Sequence, residues 1–97
     1  MLVVTGGANS TISSQAESIT VSTTAVGLTA PATANSAVIQ VQDQDIRWWS
    51  DASTPTATAG FHNGDGDWIF LNSRAEVVGF SAIREDGTDA VIAVQYG

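Results

Sequence analysis

No cysteine and no lysine occur among the 97 residues, and three arginines are the whole complement of fixed positive charge against ten acidic side chains. Without cysteine there is no disulfide framework, no thiolate nucleophile and no thiolate metal site. Without lysine there is no Schiff-base chemistry, and a chain of formal net charge -7 has no basic stripe with which to neutralise a run of phosphates, so nucleic acid is not an expected partner. Long apolar runs are also missing. No stretch approaches the roughly 20 apolar residues that cross a bilayer, which argues against membrane contact. The opening MLVVTGGANS has no positive n-region and only a four-residue apolar run, too little for a secretory signal. The expectation is a soluble protein made in the cytoplasm.

Helix-forming content is thin. Val, Ile and Thr supply 28 residues while Leu supplies three, and the 14 alanines are scattered among Thr, Ser, Gly and Pro. No window of helical length repeats apolar side chains with the helical period. The reading is an all-β fold, a small antiparallel β-sandwich or barrel, jelly-roll-like, of about 6–8 short strands. Residues 1–14 are read as an N-terminal strand or arm followed by a polar loop, and 15–97 as a single β domain. A chain this short buries only about 60–65% of its unfolded surface, so partners are expected to add to its stability.

Along the domain, residues 17–28 suit one or two strands with a bend near 23–27. Pro31 keeps residues 29–36 in a turn or loop. Residues 37–42 form the clearest strand, with Ala37, Ile39 and Val41 on one face. Residues 42–44 read as a hairpin turn and 45–50 as the returning strand, followed by a surface loop over 51–60. Asn63-Gly64-Asp65-Gly66 is the strongest turn signal. After it, 67–71 is a strand with two apolar faces, Trp68 and Phe70 on one and Ile69 and Leu71 on the other. Residues 72–73 read as a turn, and 75–83 as a further strand interrupted at Gly79 by a bulge or a close backbone approach. The last strand, 90–96, sets Ala90, Ile92, Val94 and Tyr96 against Val91, Ala93 and Gln95.

The acids fall in short clusters, and a calcium loop is the first chemistry to test. Counting an EF-hand from Asp65 puts Ile69 and Phe70 at positions that need an oxygen ligand and a glycine; counting from Asn63 puts Trp68 at the glycine and Arg74 at the bidentate glutamate. Both frames fail, and the aspartates read as solvated turn residues, with Asp51 and Asp67 organising their loops. His62, the only histidine, is expected to bridge backbone groups and hold the 52–60 loop against the next strand. No G-x-S-x-G elbow accompanies it, and no acid pair is marked as a glycosidase pair. No catalytic residue, cofactor site or metal site is assigned.

Aromatic residues carry the interaction hypothesis. Trp48 and Trp49 are strand neighbours and point to opposite faces, so at most one belongs to the core. Trp48, Trp49, Trp68 and Phe70 are interface candidates, joined by Arg47 and Arg84, which are expected to pair with carboxylates within or between subunits. A platform for sugar rings is the competing use of an exposed tryptophan.

Taken together, Ser18-Ile19-Thr20-Val21, Ala37-Val38-Ile39-Gln40-Val41, Ile46-Arg47-Trp48, Asp51 with Thr54-Pro55-Thr56, Gly60-Phe61-His62, Gly66-Asp67, Phe80-Ser81-Ala82-Ile83-Arg84, Gly87-Thr88-Asp89-Ala90 and Val94-Gln95-Tyr96 form a pattern. It resembles a family of small structural proteins of tailed bacteriophages and prophages, over about 80 of the 97 residues. The resemblance implies a β-rich, non-enzymatic virion component, most simply a capsid decoration or cement protein that stabilises the head. It implies no cofactor, and as partners the major capsid protein or other virion proteins. Self-association is implied too, with a trimer on a capsid three-fold position as one form. The location implied is the virion, after synthesis in the host cytoplasm. The chain departs from its relatives at Trp49-Ser50-Asp51-Ala52, where they resemble a tighter R-Y-x-x-D-G turn, so that Ala52 stands in place of the usual glycine. A connector or tail component and a carbohydrate-binding accessory module are the alternatives. A small hydrolase would need a nucleophile, base and oxyanion site that the residues do not suggest.

Overall fold

Alternating apolar residues in short runs, separated by Gly, Pro, Ser and Asp, dictate strands with one buried face. The computed structural model describes residues 15–97, so the arm and loop expected over 1–14 lie outside the described residues. The elements are β1 (Ala16–Val21), β2 (Val26–Gly27), β3 (Ala37–Gln42), β4 (Ile46–Trp49), β5 (Phe61–Asn63), β6 (Trp68–Leu71), α1 (Arg74–Gly79), β7 (Ser81–Arg84) and β8 (Ala90–Tyr96).

The strands form a small all-β domain of two four-stranded antiparallel sheets packed together. Sheet 1 has the order β1-β8-β3-β6 and sheet 2 the order β2-β7-β4-β5. Strands thus pair from the outside of the chain inward: β1 with β8, β2 with β7, β3 with β6 and β4 with β5. β3 also pairs with β8, and β4 with β7, to complete each sheet.

The core lies between the inner faces. Val21, Ile39, Val41, Ile69, Leu71, Ile92, Val94 and Tyr96 from sheet 1 meet Ile46 and Ala82 from sheet 2, and Val77 and Phe80 belong to the same buried cluster. In β3 the buried face is the one alternation puts in the core, and of the two faces alternation separates in β8 the one with Ala90, Ile92, Val94 and Tyr96 is buried.

Three local readings are corrected. Residues 42–44 do not close a hairpin, because β3 belongs to sheet 1 and β4 to sheet 2. The reversal is real: Gln44 N–H donates to the Gln42 carbonyl at 2.9 Å and Asp43 takes a φ of 76°. A turn, however, sets only the change of direction, and the buried face of each strand decides which sheet it joins. The Asn63–Gly66 turn likewise passes from β5 in sheet 2 to β6 in sheet 1.

The strand read over 75–83 is a helix followed by β7. Ser73 caps α1, its hydroxyl accepting from Glu76 N–H at 3.2 Å, while Glu76 Oε1 accepts from Asn72 N–H at 2.6 Å. Ser73-Arg74-Ala75-Glu76 is the capping-box spacing, and it outweighs the strand preference of Val77 and Val78. Arg74 then anchors the helix by donating to the carbonyls of Pro31 and Ala34 at 2.8 and 2.9 Å. Gly79 is a point of close approach, since a Cβ there would sit 2.8 Å from Ser50 O and 2.9 Å from Ala52 N.

The 51–60 segment is not wholly superficial. Pro55 is fully buried, Thr56 and Ala59 form a bridge, and the three-residue strand β5 follows at Phe61–Asn63, too short for alternation to reveal. Where the resemblance expects glycine, Ala52 holds a φ of 71°, a conformation glycine adopts without steric cost.

Candidate interaction surface

The outer face of sheet 1 is formed by the alternate residues that β1, β8, β3 and β6 turn away from the core. They are Ala16, Ser18 and Thr20 of β1, Val91, Ala93 and Gln95 of β8, Val38, Gln40 and Gln42 of β3, and Trp68 and Phe70 of β6. None of these side chains is charged, in a chain that carries ten acids. Trp68 is 55% exposed, Phe70 62% and Val38 38%, and in the β3–β6 register Trp68 stands opposite Gln40 and Phe70 opposite Val38. Single exposed apolar residues are ordinary, whereas two aromatics and a valine on one uncharged face form a patch.

A shallow open groove of about 460 Å³ crosses this face, with Trp68, Val38, Gln40, Ser18, Ala93 and Gln95 among its lining residues. Gln42 donates to Gln40 Oε1 at 3.1 Å and so orients one of its polar groups. Glu17 stands at the rim, its carboxylate engaged by Thr29 and by the Tyr96 phenol. Burial pushes the Glu17 carboxyl up, and the hydrogen bonds from Thr29 and Tyr96 outweigh it, leaving it below the usual range.

The outer face of sheet 2 is different in kind. Arg47 and His62 are directly opposite each other in the β4–β5 register, and both reach Glu85 Oε1, Arg47 Nε at 3.0 Å and His62 Nδ1 at 2.6 Å. Asp45 Oδ2 lies 3.8 Å from His62 Nε2. Hydrogen bonding from His62, reinforced by Arg47 against burial, holds the Glu85 carboxyl below its usual range. Asp45, His62 and Glu85 present ligand-type atoms within 4.8 Å of one another, and they are the residues that could hold a cation. The two ring nitrogens, however, face different carboxylates, and the nearer carboxylate oxygen already accepts from two donors. That arrangement is an ion-pair network, and it directs no ring lone pair at a Ser or Thr hydroxyl.

This placement revises several sequence expectations. The loop-holding role given to His62 is filled by Arg47, whose Nη1 donates to the Gly60 carbonyl at 3.2 Å, while His62 contacts carboxylates. Asp51 and Asp67 do organise loops: Asp51 Oδ1 accepts from Ser53 N–H at 3.0 Å, and Asp67 Oδ2 from Gly64 N–H at 2.8 Å. Arg84 is engaged within the chain, pairing with Asp89 at 2.6 Å. Trp48 turns inward, stacked on Phe80 at 5.6 Å and donating through Nε1 to Asn63 Oδ1 at 2.7 Å. Trp49 is half-buried with its ring 5.2 Å from that of Phe61. Of the six interface candidates, Trp68 and Phe70 are thus the two brought together on an open face.

Asp45 and Glu85 as partners of His62 were not foreseen. Their only trace in the sequence is that each stands one residue beyond a strand that flanks β5 or its partner, β4 and β7.

Comparison with protein-family models, with curated proteins and with solved structures returns no match to this chain. Among the described residues no helix is long and apolar enough to cross a membrane.

Proposed function

We propose that this chain is a non-enzymatic structural subunit of a bacteriophage virion, a capsid decoration or cement protein that stabilises the head by docking on the major capsid protein or another virion protein. The observation that carries this reading is the uncharged outer face of sheet 1 with Trp68, Phe70 and Val38 exposed on it. Desolvating such a face costs little, and large aromatic side chains are the usual anchors of protein contacts. The remaining surface of a -7 chain keeps free subunits apart.

The fold supports the same reading by analogy. Nested pairing of first strand with last, second with second-to-last and so on, in the orders β1-β8-β3-β6 and β2-β7-β4-β5, is that of a jelly roll, the architecture of many viral capsid domains. Fold alone does not carry function; the resemblance of the residue pattern to small phage structural proteins is what supports a phage source. Head decoration is favoured over a connector or tail site, and assembly in closed rings, such as a trimer on a three-fold position, suits a repeated lattice.

Cosedimentation with assembled heads tests the proposal. The wild-type chain should pellet with heads, and Trp68→Ala or Phe70→Ala should weaken binding about ten-fold or more, the effect of losing an interface anchor. Absence of binding to heads lacking the protein would overturn it.

One observation favours a second reading. Trp68 sits in a groove with Gln40, Gln95 and Ser18, an aromatic ring beside polar groups, which suits a sugar ring; jelly rolls also serve as lectin domains. Tryptophan fluorescence that changes with a glycan, and stops changing in Trp68→Ala, would establish it over the docking reading.

A further inference from the structure

We infer that the edge of β6, unpaired among the described residues, is a strand-pairing site for the β6 of a second copy of this chain, so that two sheets join into one eight-stranded antiparallel sheet. The inference rests on the subunit reading above and adds a contact at the edge of sheet 1, beside the face that docks.

The backbone carries the first step. Val41 N–H donates to the Asp67 carbonyl at 2.9 Å, which places the odd-numbered residues of β6 in the hydrogen-bonded positions of the β3–β6 ladder. In an antiparallel pair these positions alternate, so the N–H and C=O groups of Ile69 and Leu71 point toward β3, and those of Trp68 and Phe70 point away from it, along the edge. β6 is an edge strand in sheet 1 and has none of the usual protections, no lysine, proline or charge within Trp68–Leu71. β1, the other edge of the sheet, carries Glu17, and the two edges of sheet 2 are strands of two and three residues.

Register gives the second step. An antiparallel partner must keep aromatic side chains on the outer face and aliphatic ones inward, which requires even residues to oppose even residues. A two-fold axis at Ile69 meets that condition: Trp68 opposes Phe70 of the second copy and Phe70 opposes its Trp68, while the two Ile69 residues meet on the inner face. The Trp68–Phe70 pairs then fall at hydrogen-bonded positions, where the outward N–H and C=O groups exchange. The strand is self-complementary in backbone and side chains at once, which singles out a second copy.

Charge and area give the third. Two chains of net charge -7 repel, and Trp68–Leu71 is a stretch that brings no acid of its own to the contact. Pairing one four-residue strand edge to edge leaves the outer face of the joined sheet open, so the area removed falls well short of the ~1,200–2,000 Å² of a stable dimer. The contact is therefore weak in dilute solution, with a dissociation constant of about 0.1–1 mM, and becomes occupied where an array holds subunits at millimolar effective concentration.

Two measurements on the full chain test this without heads, so their outcome is separate from that of cosedimentation. Sedimentation velocity from about ten-fold below to ten-fold above that constant should show the mass rising from 10.0 kDa toward twice that value. Phe70→Lys and Phe70→Glu, charges of either sign on an exposed edge, should each weaken association at least ten-fold, while Val78→Lys on the exposed side of α1 should not. Hydrogen exchange of the wild-type chain reads the edge directly: the Trp68 and Phe70 amides should exchange fast when dilute and become protected as concentration rises, with Ile69 and Leu71 protected throughout. A chain that stays monomeric at every concentration overturns the inference. So does association that Phe70→Lys leaves unchanged. Protection of Trp68 and Phe70 already complete in the dilute monomer would place another segment of the same chain on the edge and overturn it equally.

Discussion

The Tyr96 phenol donates to the Glu17 carboxylate, joining residues 79 positions apart at the β1–β8 side of sheet 1. Burial raises the Tyr96 phenol above its ordinary value, and the neighbouring Glu17 carboxylate raises it further. The same carboxylate accepts from the Thr29 hydroxyl and backbone, so one side chain ties the first strand, the last strand and the loop after β2. Tyr96→Phe removes one hydrogen bond to a charged group while leaving the ring in the core. It should lower stability by about 1–2 kcal/mol, read as a shift in the urea midpoint with an unchanged slope.

Glu17 and Glu85 also contribute to how stability responds to acid. Both are held below 4.5, the value of an unperturbed glutamate, so the folded chain binds protons less readily than the unfolded chain at these sites. Their contribution is present above pH 4.5 and is lost as pH falls through the lower folded values. The urea midpoint should therefore drop on acidification below about pH 4.5, and the drop should be shallower in Glu17→Gln than in the wild type.

Ala52→Gly should stabilise the chain. A φ of 71° costs an alanine roughly 1–2 kcal/mol, and glycine removes that cost while adding roughly 0.5–1 kcal/mol of backbone entropy to the unfolded state. The net gain of about 0.5–1 kcal/mol should appear as a melting temperature higher by a few degrees, about 2–8 °C for a domain of this size.

The helix offers a graded pair. Ser73→Ala removes the cap from Glu76 N–H and should cost about 1 kcal/mol. Gly79→Ala drives a methyl group into the backbone of Ser50 and Ala52, which are not free to retreat while Ala52 N–H donates to the Gly79 carbonyl at 3.0 Å. It should cost about 2–4 kcal/mol. Comparable urea midpoints for the two variants would refute the close approach.

Trp48→Phe separates packing from hydrogen bonding in the core. The replacement keeps a ring against Phe80 but leaves Asn63 Oδ1 without its donor. A loss of about 1–3 kcal/mol is expected, read as a shift in the urea midpoint.

Strands β3 and β8 were legible because each alternates over six or seven residues with one wholly apolar face. β6 was legible in both its faces for the same reason. The helix at Arg74–Gly79 was not, because six residues are too few to show a helical period and Val77-Val78 mimics a strand; the signal was the Ser73–Glu76 spacing. The Arg47–Glu85–His62–Asp45 network was invisible for another reason. Its members come from within β4 and β5 and from the residues flanking β4 and β7, and nothing local says that residue 47 faces residue 62.

Composition and alternation alone determined an all-β domain, the core face of β3, and the division of β6 into one aromatic and one aliphatic face. Those are properties of neighbours in the chain, where side-chain period and backbone preference act within a few residues. Only the tertiary structure decided which strands pair, that the turns at 42–44 and 63–66 cross between sheets, that Trp48 turns inward while Trp68 and Phe70 stay outside, and that β6 stands at an edge. Strand pairing is settled by burying the inner faces of two sheets against each other, a condition on residues as far apart as 17 and 96 that no local pattern contains.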